Sequence, residues 1–452
     1  MVVPLEHREA PRRLTSLLAL VLPAVLATPA AAFSQDVDCV RYLDRAIEMI
    51  DQYWSFTVFK VGAYDLAGER ERLRPDAVAA TTPDACADVL DRLMASLRDG
   101  HANLTRFPGR TPQSIPPGIR LKRFSDRIAR PGMGGPVERL YVVAKDTTDA
   151  SIVDIPIGSE VLTIDGRPAQ EVLDSVQARV SASTTWGLVH WTDQTVLRGP
   201  AGSDVTLLLR TPAGEVREVT LQRRGVPDPD AESEPYSYVE HRILDSGYGY
   251  LRLRGFDERI VTRQFDEALD ALRDTPGLVL DLRDNGGGLV TVLQEVAGRF
   301  FDRHVVLARI MIRNPGEQVV TRDLQPIVAR SRGWTYRQPV VLIVNAGCFS
   351  ACDVFTSAMD EHGRALIIGP TRTGGGSASP VGGGITDTFD GAQIRLSFFI
   401  AYRGDETHIE SIGISPHVVV QPTLEDYIAG RDILLERAEA ALRDGEADFG
   451  AL

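Results

Sequence analysis

Lysine is almost missing from this chain of 452 residues. Of its 49 basic residues only Lys60, Lys122 and Lys145 are lysines, and the rest are arginines. No lysine follows Lys145, so no lysine base can come from any later part of the chain. Arginine cannot take over as a proton acceptor, because its guanidinium group stays protonated.

Positive charge is also in deficit over the whole chain, whose formal net charge is -13. A protein without a basic surplus is poorly suited to neutralise phosphates, which argues against nucleic acid or an anionic membrane as a main partner. The chain is nevertheless 43% hydrophobic and 25% charged. This length and composition indicate a globular protein of two or three domains.

Long apolar runs are missing after the N-terminus, so we expect no membrane span in the mature chain. The N-terminus itself has the pattern of a signal peptide, which we assign to residues 1–32. Arg12 and Arg13 form a charged start, residues 14–27 are mostly apolar, and alanines at 30–32 fit a cleavage site. We therefore expect an extracytoplasmic protein, periplasmic or secreted; an uncleaved anchor is the alternative.

Cysteine is scarce, with four in the chain. Cys39 and Cys86 lie in two predicted helices and are candidates for a disulfide, which would add roughly 4 kcal/mol of stability in an oxidising compartment. Cys348 and Cys352 lie four residues apart. We expect them to be small packing residues; a strained bridge between them and a nucleophilic cysteine are the alternatives.

The stretch around Ser350 has the form of a strand, a sharp turn and a helix. The apolar run Val340–Val344 predicts a buried strand, and residues 351–359 have apolar or small side chains at helical spacing. A serine at such a junction has its hydroxyl exposed beside a helix N-terminus, which favours developing negative charge. This arrangement suits a nucleophile; an ordinary helix N-cap is the alternative.

A second junction of the same form follows the apolar strand predicted at 278–283. Its loop contains the consecutive glycines Gly286, Gly287 and Gly288, which allow a close approach to the backbone. No Gly-Lys-Ser/Thr sequence follows, so this is not a phosphate-binding loop. Free N–H groups in such a loop suit an oxyanion; a glycine turn without a functional role is the alternative.

His101 follows a predicted helix at 85–97, with Gly100 as a C-terminal capping residue. Its polar, glycine-flanked surroundings suit an exposed general base. A structural or solvated histidine is the alternative.

The predicted elements divide the chain into consecutive regions. They are an N-terminal helical region at 33–106, short strands with a helix at 115–224, a linker at 225–240, strand–loop–helix units at 241–422 that predict an α/β layered domain, and a capped amphipathic helix at 423–452.

Five motifs occur in the order that is typical of tail-specific, or C-terminal-processing, peptidases (family S41), and the chain resembles this family over most of its mature length. The motifs are Asp99–His101, Asp281–Gly288, Phe349–Asp353, Asp360–Gly369 and Glu410–Pro416. The resemblance implies a crotonase-like catalytic domain at 241–422, a PDZ-like domain at 115–224 and Ser350 as the nucleophile.

Bacterial members with a serine–lysine dyad carry the lysine in a Gly-Lys-Gly turn, where this chain has Gly374-Gly375-Gly376. The chain is therefore more similar to the Ser-His-Glu branch, which includes the tricorn core protease. This resemblance implies no metal and no cofactor. It implies a catalytic triad of Ser350, His101 and Glu410, and an oxyanion hole made by the N–H groups of Ala351 and Gly287, with Gly288 as a further donor.

The sequence thus predicts a secreted or periplasmic serine endopeptidase that acts on protein or peptide substrates. We also expect a strand after Glu410, because Ile412 and Ile414 alternate with smaller or polar residues. Two other functions are alternatives: a non-catalytic relative that binds peptides or ligands, and a hydrolase of a non-peptide ester or amide.

Overall fold

The computed structural model describes residues 37–57, 64–125, 138–226, 237–313, 320–322, 326–376 and 385–448. The predicted signal peptide and most of the predicted linker lie outside these residues. Within them, no helix combines the length and the apolar character that crossing a membrane requires.

The N-terminal region is built from three helices with their own apolar core. Each helix begins after an Asp or Thr whose side chain accepts a backbone N–H of the first turn. Cys39 and Cys86 form a disulfide that joins the first and third helices. The elements are α1 (Cys39–Tyr53), a 3-10 turn (Ser55–Thr57), α2 (Leu66–Ala79), α3 (Pro83–Ser96) and the strand β1 (Asn103–Arg106).

Residues 113–222 form a second region, called here the inserted unit. An antiparallel sheet with the strand order β3-β4-β5-β8-β9 encloses a separate apolar core. Its elements are β2 (Gln113–Ser114), β3 (Ile119–Ser125), β4 (Glu138–Lys145), β5 (Glu160–Ile164), β6 (Arg167–Pro168), α4 (Ala169–Gln177), α5 (Thr185–Thr195), β7 (Gly199–Pro200), β8 (Asp204–Arg210) and β9 (Val216–Gln222).

The remaining residues form a mixed α/β region that carries the two predicted junctions. Its elements are β10 (Val239–Ile243), β11 (Gly249–Leu253), α6 (Ile260–Ala271), β12 (Leu278–Asp281), α7 (Val290–Ala297), β13 (Val305–Arg313), β14 (Val320–Arg322), β15 (Ile327–Ala329), β16 (Val340–Ile343), α8 (Ala351–Glu361), β17 (Leu366–Gly369), β18 (Ile385–Phe389), β19 (Ala392–Leu396), β20 (Phe399–Tyr402), β21 (Val418–Val419), α9 (Leu424–Ile428) and α10 (Ile433–Arg443).

A six-stranded sheet with the order β10-β11-β12-β16-β17-β21 lies at the centre of this region. Within this sheet, neighbouring strands are parallel except at the edge, where β10 pairs antiparallel with β11. Apolar side chains alternate along the strands: Leu278 and Leu280 face the core shared with α6, α7 and α8, whereas Val279 packs on the side of α10. The sheet is therefore covered by helices on both faces, as parallel sheets require.

Strand β1 links the N-terminal region to the α/β region. It pairs antiparallel with β19, so that Asn103 lies opposite Arg395. Side chains of β19 also complete the apolar core of the three N-terminal helices. This pairing fixes the segment just before β1, which contains His101.

The C-terminal segment differs from the single helix predicted at 423–452. It contains two helices, α9 and α10, because Gly430 takes a left-handed conformation with φ 67° and interrupts the first. Asp432 then caps α10 by accepting the N–H of Leu435. The helical region predicted at 33–106 likewise ends in a strand, since its last four residues pair with β19.

Candidate active site

Two loops leave the carboxyl ends of neighbouring parallel strands and meet at one edge of the sheet. Strands β12 and β16 pair in parallel from Leu278 opposite Val340 onwards. Asn345 and Asp284 bond each other twice across the two loops: the Asn345 amide donates to the Asp284 carboxylate at 2.7 Å and accepts the Asp284 N–H at 3.0 Å. The Phe349 N–H donates to the Asn285 carbonyl at 2.9 Å. The glycine loop and the serine turn are thus held together as one structure.

Ser350 stands in the N-cap position of α8 in an unusual backbone conformation, with φ 59° and ψ -118°. A non-glycine residue in this region costs about 1–3 kcal/mol, and such strain clusters at functional sites. The Ser350 hydroxyl lies 3.0 Å from the Nε2 atom of His101. The serine therefore has a base within hydrogen-bonding distance, besides its position at the helix N-terminus.

His101 is held by its neighbours in the segment that leads into β1. Its backbone N–H donates to the buried Asp99 carboxylate at 2.9 Å, and that carboxylate also accepts the Trp54 indole N–H at 2.9 Å. The imidazole ring stacks on the Phe349 ring, with the centroids 4.6 Å apart and the planes at 30°. The ring therefore has a fixed orientation toward Ser350.

The environment of His101 favours the neutral imidazole. Burial lowers its pKa from 6.5 to about 4, with Arg395 acting in the same direction and Asp99 against it. Its Nδ1 atom is buried and has no hydrogen-bond partner among the described residues. A neutral imidazole with Nε2 facing a serine hydroxyl can act as a general base.

The glycine loop lies directly against the turn that contains Ser350. Gly287 has φ 95°, and a Cβ there would stand 2.6 Å from the Phe349 carbonyl oxygen and 2.7 Å from both the Ala351 nitrogen and the Ser350 Cβ. Gly288 has φ 138°, and a Cβ there would stand 2.3 Å from the Phe256 backbone. Both positions therefore require glycine. The Gly287 N–H donates to the Asn285 side chain at 3.0 Å.

Glu410 lies in a turn, and residues 411–415 do not form the strand that was expected to follow it. Ser411 and Gly413 both take positive φ, at 65° and 63°, and this conformation breaks the alternating pattern that predicted a strand. The Ser411 N–H donates to the Gly375 carbonyl at 2.8 Å, so the turn is tied to the segment 373–376. The Glu410 side chain is buried, whereas Asp405 in the preceding turn is exposed.

Asp353 connects Ser350 to the same segment, which we call the glycine strap (residues 373–376). This fully buried carboxylate accepts the backbone N–H groups of Ser350, Gly375 and Gly376 at 2.9 to 3.0 Å. Burial raises its pKa to about 7, against the opposing effect of its hydrogen bonds. The motif Phe349–Asp353 did not by itself predict a role for Asp353, although a carboxylate three residues into a helix is a recognisable capping signal.

Three further residues near the site were missed by sequence reasoning. Phe349 carries the ring that supports His101. Asp284 binds Arg120 of the inserted unit at 2.8 Å, and arginine and histidine neighbours lower its pKa to about 2 despite its burial. His190 lies 3.6 Å from Asp284, and burial lowers its pKa to about 4. Arg120 and His190 come from a distant part of the sequence and carry no local signal for this position.

The prediction that the two cysteines beside Ser350 are simple packing residues is wrong. Cys348 and Cys352 form a disulfide with their Cα atoms 5.3 Å apart. Cys348 lies in the turn before α8 and Cys352 in the first turn of the helix, so the bend at Ser350 brings the two side chains together. Among the described residues, no cluster of His, Cys, Asp or Glu could hold a metal ion.

Comparison with known proteins agrees with this architecture. Residues 247–420 match the model of peptidase family S41. The carboxy-terminal-processing protease of Bartonella bacilliformis is 28% identical over 313 residues, which is 65% of this chain and 61% of that protein. The carboxy-terminal processing protease CtpA of Bacillus subtilis is 24% identical over 51% of this chain and 48% of that protein. Residues 247–420 of the chain are thus similar to peptidase family S41.

Both curated relatives are longer than the part that the alignment covers, since this chain spans about half to three fifths of their lengths. A solved structure extends the likeness in fold. The structure of mature CPAF complexed with lactacystin aligns with a TM-score of 0.68 over 90% of this chain and 99% of that chain, at 18% identity. The mixed α/β fold therefore matches the fold of mature CPAF.

Proposed function

We propose that this chain is an extracytoplasmic serine endopeptidase that hydrolyses peptide bonds with Ser350, His101 and Glu410. The observation that carries the proposal is the 3.0 Å distance between the Ser350 hydroxyl and His101 Nε2 at a strained strand–helix turn. The relatives from Bartonella and Bacillus, both described as carboxy-terminal processing proteases, support the choice of peptide substrates.

The reaction follows from the geometry of this pair. Ser350 Oγ attacks the carbonyl carbon of the scissile bond while His101 Nε2 takes its proton. The imidazolium then gives that proton to the leaving amine, which leaves an acyl-enzyme ester on Ser350. A water molecule repeats both steps and releases the acid. The low pKa of His101 keeps the imidazole neutral and ready for the first step.

Backbone N–H groups next to Ser350 would hold the negative oxygen of the tetrahedral intermediate. Ala351 is the first residue of α8, where N–H groups have no partner within the helix. Of the two glycines, Gly288 is the better second donor, because the Gly287 N–H already bonds the Asn285 side chain. Gly287 then serves by allowing its backbone to pack against Ser350 without a side chain.

Carboxylates would stabilise the imidazolium that forms in the reaction. Glu410 is the proposed third member of the triad: it is buried, and its turn is bonded to the glycine strap. The strap packs against the Phe349 ring, which stacks on His101. Asp99 contributes as well, since its carboxylate accepts the His101 backbone N–H and its charge raises the pKa of the ring.

The inserted unit would bind the substrate as a PDZ-like domain, by adding an extended peptide to its sheet. It contacts the glycine loop and the glycine strap, because Arg120 binds Asp284 at 2.8 Å and the Trp186 indole donates to the Thr373 carbonyl at 2.7 Å. A cavity of about 470 Å³ lies at this contact, lined in part by Arg120, Trp186 and Ala346. This cavity is the proposed route of the substrate to Ser350.

The test compares the chain lacking residues 1–32 with its Ser350→Ala variant on an unfolded protein substrate, a set of peptides and a set of non-peptide esters. We expect cleavage of the protein and the peptides by the first enzyme only, and labelling of Ser350 by a fluorophosphonate. Equal cleavage by both would contradict the proposal. Turnover of esters without turnover of peptides would replace the peptidase with an esterase.

A further inference from the structure

A disulfide brackets the nucleophile at equal distances along the chain. Cys348 lies two residues before Ser350 and Cys352 two residues after it, and their side chains are joined. Both cysteines are fully buried in the main core. Cys348 belongs to the turn that follows β16, and Cys352 belongs to the first turn of α8. The bond therefore ties together the two arms of the bend that carries Ser350.

This bend needs restraint from its surroundings. Ser350 has φ 59° and ψ -118°, a conformation that a residue with a side chain keeps only when neighbouring contacts impose it. Hydrogen bonds supply part of the restraint: the Cys348 carbonyl accepts the Gly374 N–H at 2.7 Å, and the Ser350 N–H donates to Asp353 at 2.9 Å. The disulfide adds a covalent restraint directly across the bend.

Reduction would disturb this arrangement for a steric reason. Two electrons and two protons from a dithiol convert the bond into two thiols, and the dithiol becomes a disulfide itself. Two non-bonded sulfur atoms need more room than two bonded ones, and both lie in a close-packed interior. Cys348 Sγ already lies 3.5 Å from the Thr356 hydroxyl. The extra room must come from movement of the turn relative to α8, which displaces Ser350 from His101.

We infer that the Cys348–Cys352 disulfide positions Ser350, so that the hydrolase reaches its full rate only while this bond is formed. The inference rests on the proposed function. The two cysteines act as positioning residues, since they lie beneath the turn and not on the substrate side. A chain made in a reducing compartment would therefore stay below its full rate until it reached an oxidising one.

The Cys39→Ala/Cys86→Ala variant allows a direct test, because it leaves these two cysteines as the only ones in the chain. The variant is assayed after equilibration with dithiothreitol or with oxidised dithiothreitol, and its thiols are then counted by alkylation and mass. We expect kcat to fall about 10- to 100-fold as the bond is reduced, as for a misplacement of up to 1 Å. KM should stay unchanged, and oxidation should restore kcat.

A pair of double variants gives a second measurement that does not depend on reductant. Cys348→Ala/Cys352→Ala should lose kcat, whereas Cys39→Ala/Cys86→Ala should lose thermal stability and keep kcat. If Cys348→Ala/Cys352→Ala does not fold, the redox titration still tests the inference. Peptide mapping of the alkylated wild-type chain reports the state of the Cys348–Cys352 bond in the same way.

The outcomes separate this inference from the proposed function. An enzyme equally active with the Cys348–Cys352 bond formed or broken would overturn the inference and leave the proposed function standing. An oxidised, folded chain that neither cleaves peptides nor reacts with a fluorophosphonate at Ser350 would contradict both.

Discussion

Replacing Gly287 by alanine should nearly abolish turnover while leaving the protein folded. A Cβ at this position would stand 2.7 Å from the Ser350 Cβ, about 0.7 Å inside the 3.4 Å at which ordinary contact begins. It would also stand 2.6 Å from the Phe349 carbonyl oxygen, so the nucleophile and its helix must move together. The backbone at φ 95° adds a strain of about 1–3 kcal/mol for any residue with a side chain.

The size of the effect follows from these distances. A misplacement of Ser350 by about 1 Å can cost about 10²-fold in rate. The same shift moves the neighbouring Ala351 N–H, an oxyanion donor whose loss would cost about 10²–10³-fold. We therefore expect kcat to fall by about 10²–10³-fold, with a decrease of about 1–3 kcal/mol in the free energy of unfolding. Kinetics on an unfolded protein substrate and denaturant unfolding measure the two quantities separately.

The neighbouring glycine provides a matched control. A Cβ at Gly286 would meet nothing within 4 Å, and its φ is not positive, so Gly286→Ala changes the same loop without a clash. The kcat of Gly286→Ala should stay within about threefold of the wild-type value, as expected for a surface substitution that touches nothing. A folded Gly287→Ala protein with the kcat of Gly286→Ala would refute the assignment of this loop to the active site.

Three further predictions concern charged groups around Ser350. Glu410→Gln should keep the fold and lose at least about 10²-fold in kcat, whereas the exposed Asp405→Asn should stay within a few-fold; equal losses would require another third triad member. Asp353→Asn should lower the free energy of unfolding by about 1–3 kcal/mol, because the amide nitrogen faces N–H donors, and it should also lower kcat. The control is Asp360→Asn in the same helix, where Asp360 binds Arg403 and His417; this variant should leave kcat unchanged. Burial lowers the pKa of His101 to about 4, whereas burial raises the pKa of Asp353 to about 7. In the Asp353→Asn variant, which removes the second titration, kcat/KM should fall in acid through a midpoint near 4; a midpoint near 6.5 in that variant would contradict the low pKa of His101.

The turn around Ser350 could be predicted from the sequence because its signals are local. An apolar strand, small turn residues and helical spacing lie within about twenty residues of one another, and each acts through its own backbone geometry. The glycine loop after β12 could be predicted for the same reason. The parallel pairing of β12 and β16 then brings both loops to one edge of the sheet.

The approach of His101 to Ser350 could not be derived from local patterns. The two residues are 249 positions apart, and His101 reaches the site because β1 pairs with β19 and Asp99 binds Trp54. Only the family resemblance indicated this pairing. Long-range strand pairing depends on the whole fold, and a short motif such as Asp99–His101 carries no information about its partner.

Two local patterns predicted elements that the structure does not contain at those positions. The alternation of Ile412 and Ile414 predicted a strand, but Ser411 and Gly413 adopt positive φ and close a turn. The amphipathic spacing at the C-terminus predicted one helix, but Gly430 interrupts it. In each case one or two residues with left-handed backbone overrode a periodicity that was short or weak.

The most direct test of the account is the turnover of His101→Ala on an unfolded protein, compared with the wild type and with His190→Ala. His190 is the matched histidine, since it is also buried near the serine turn but lies beside Asp284 and not beside Ser350. If His101 is the base, its removal should lower kcat by about 10⁴-fold or more, while His190→Ala should remain within about tenfold. Near-normal turnover in a folded His101→Ala protein would contradict the account.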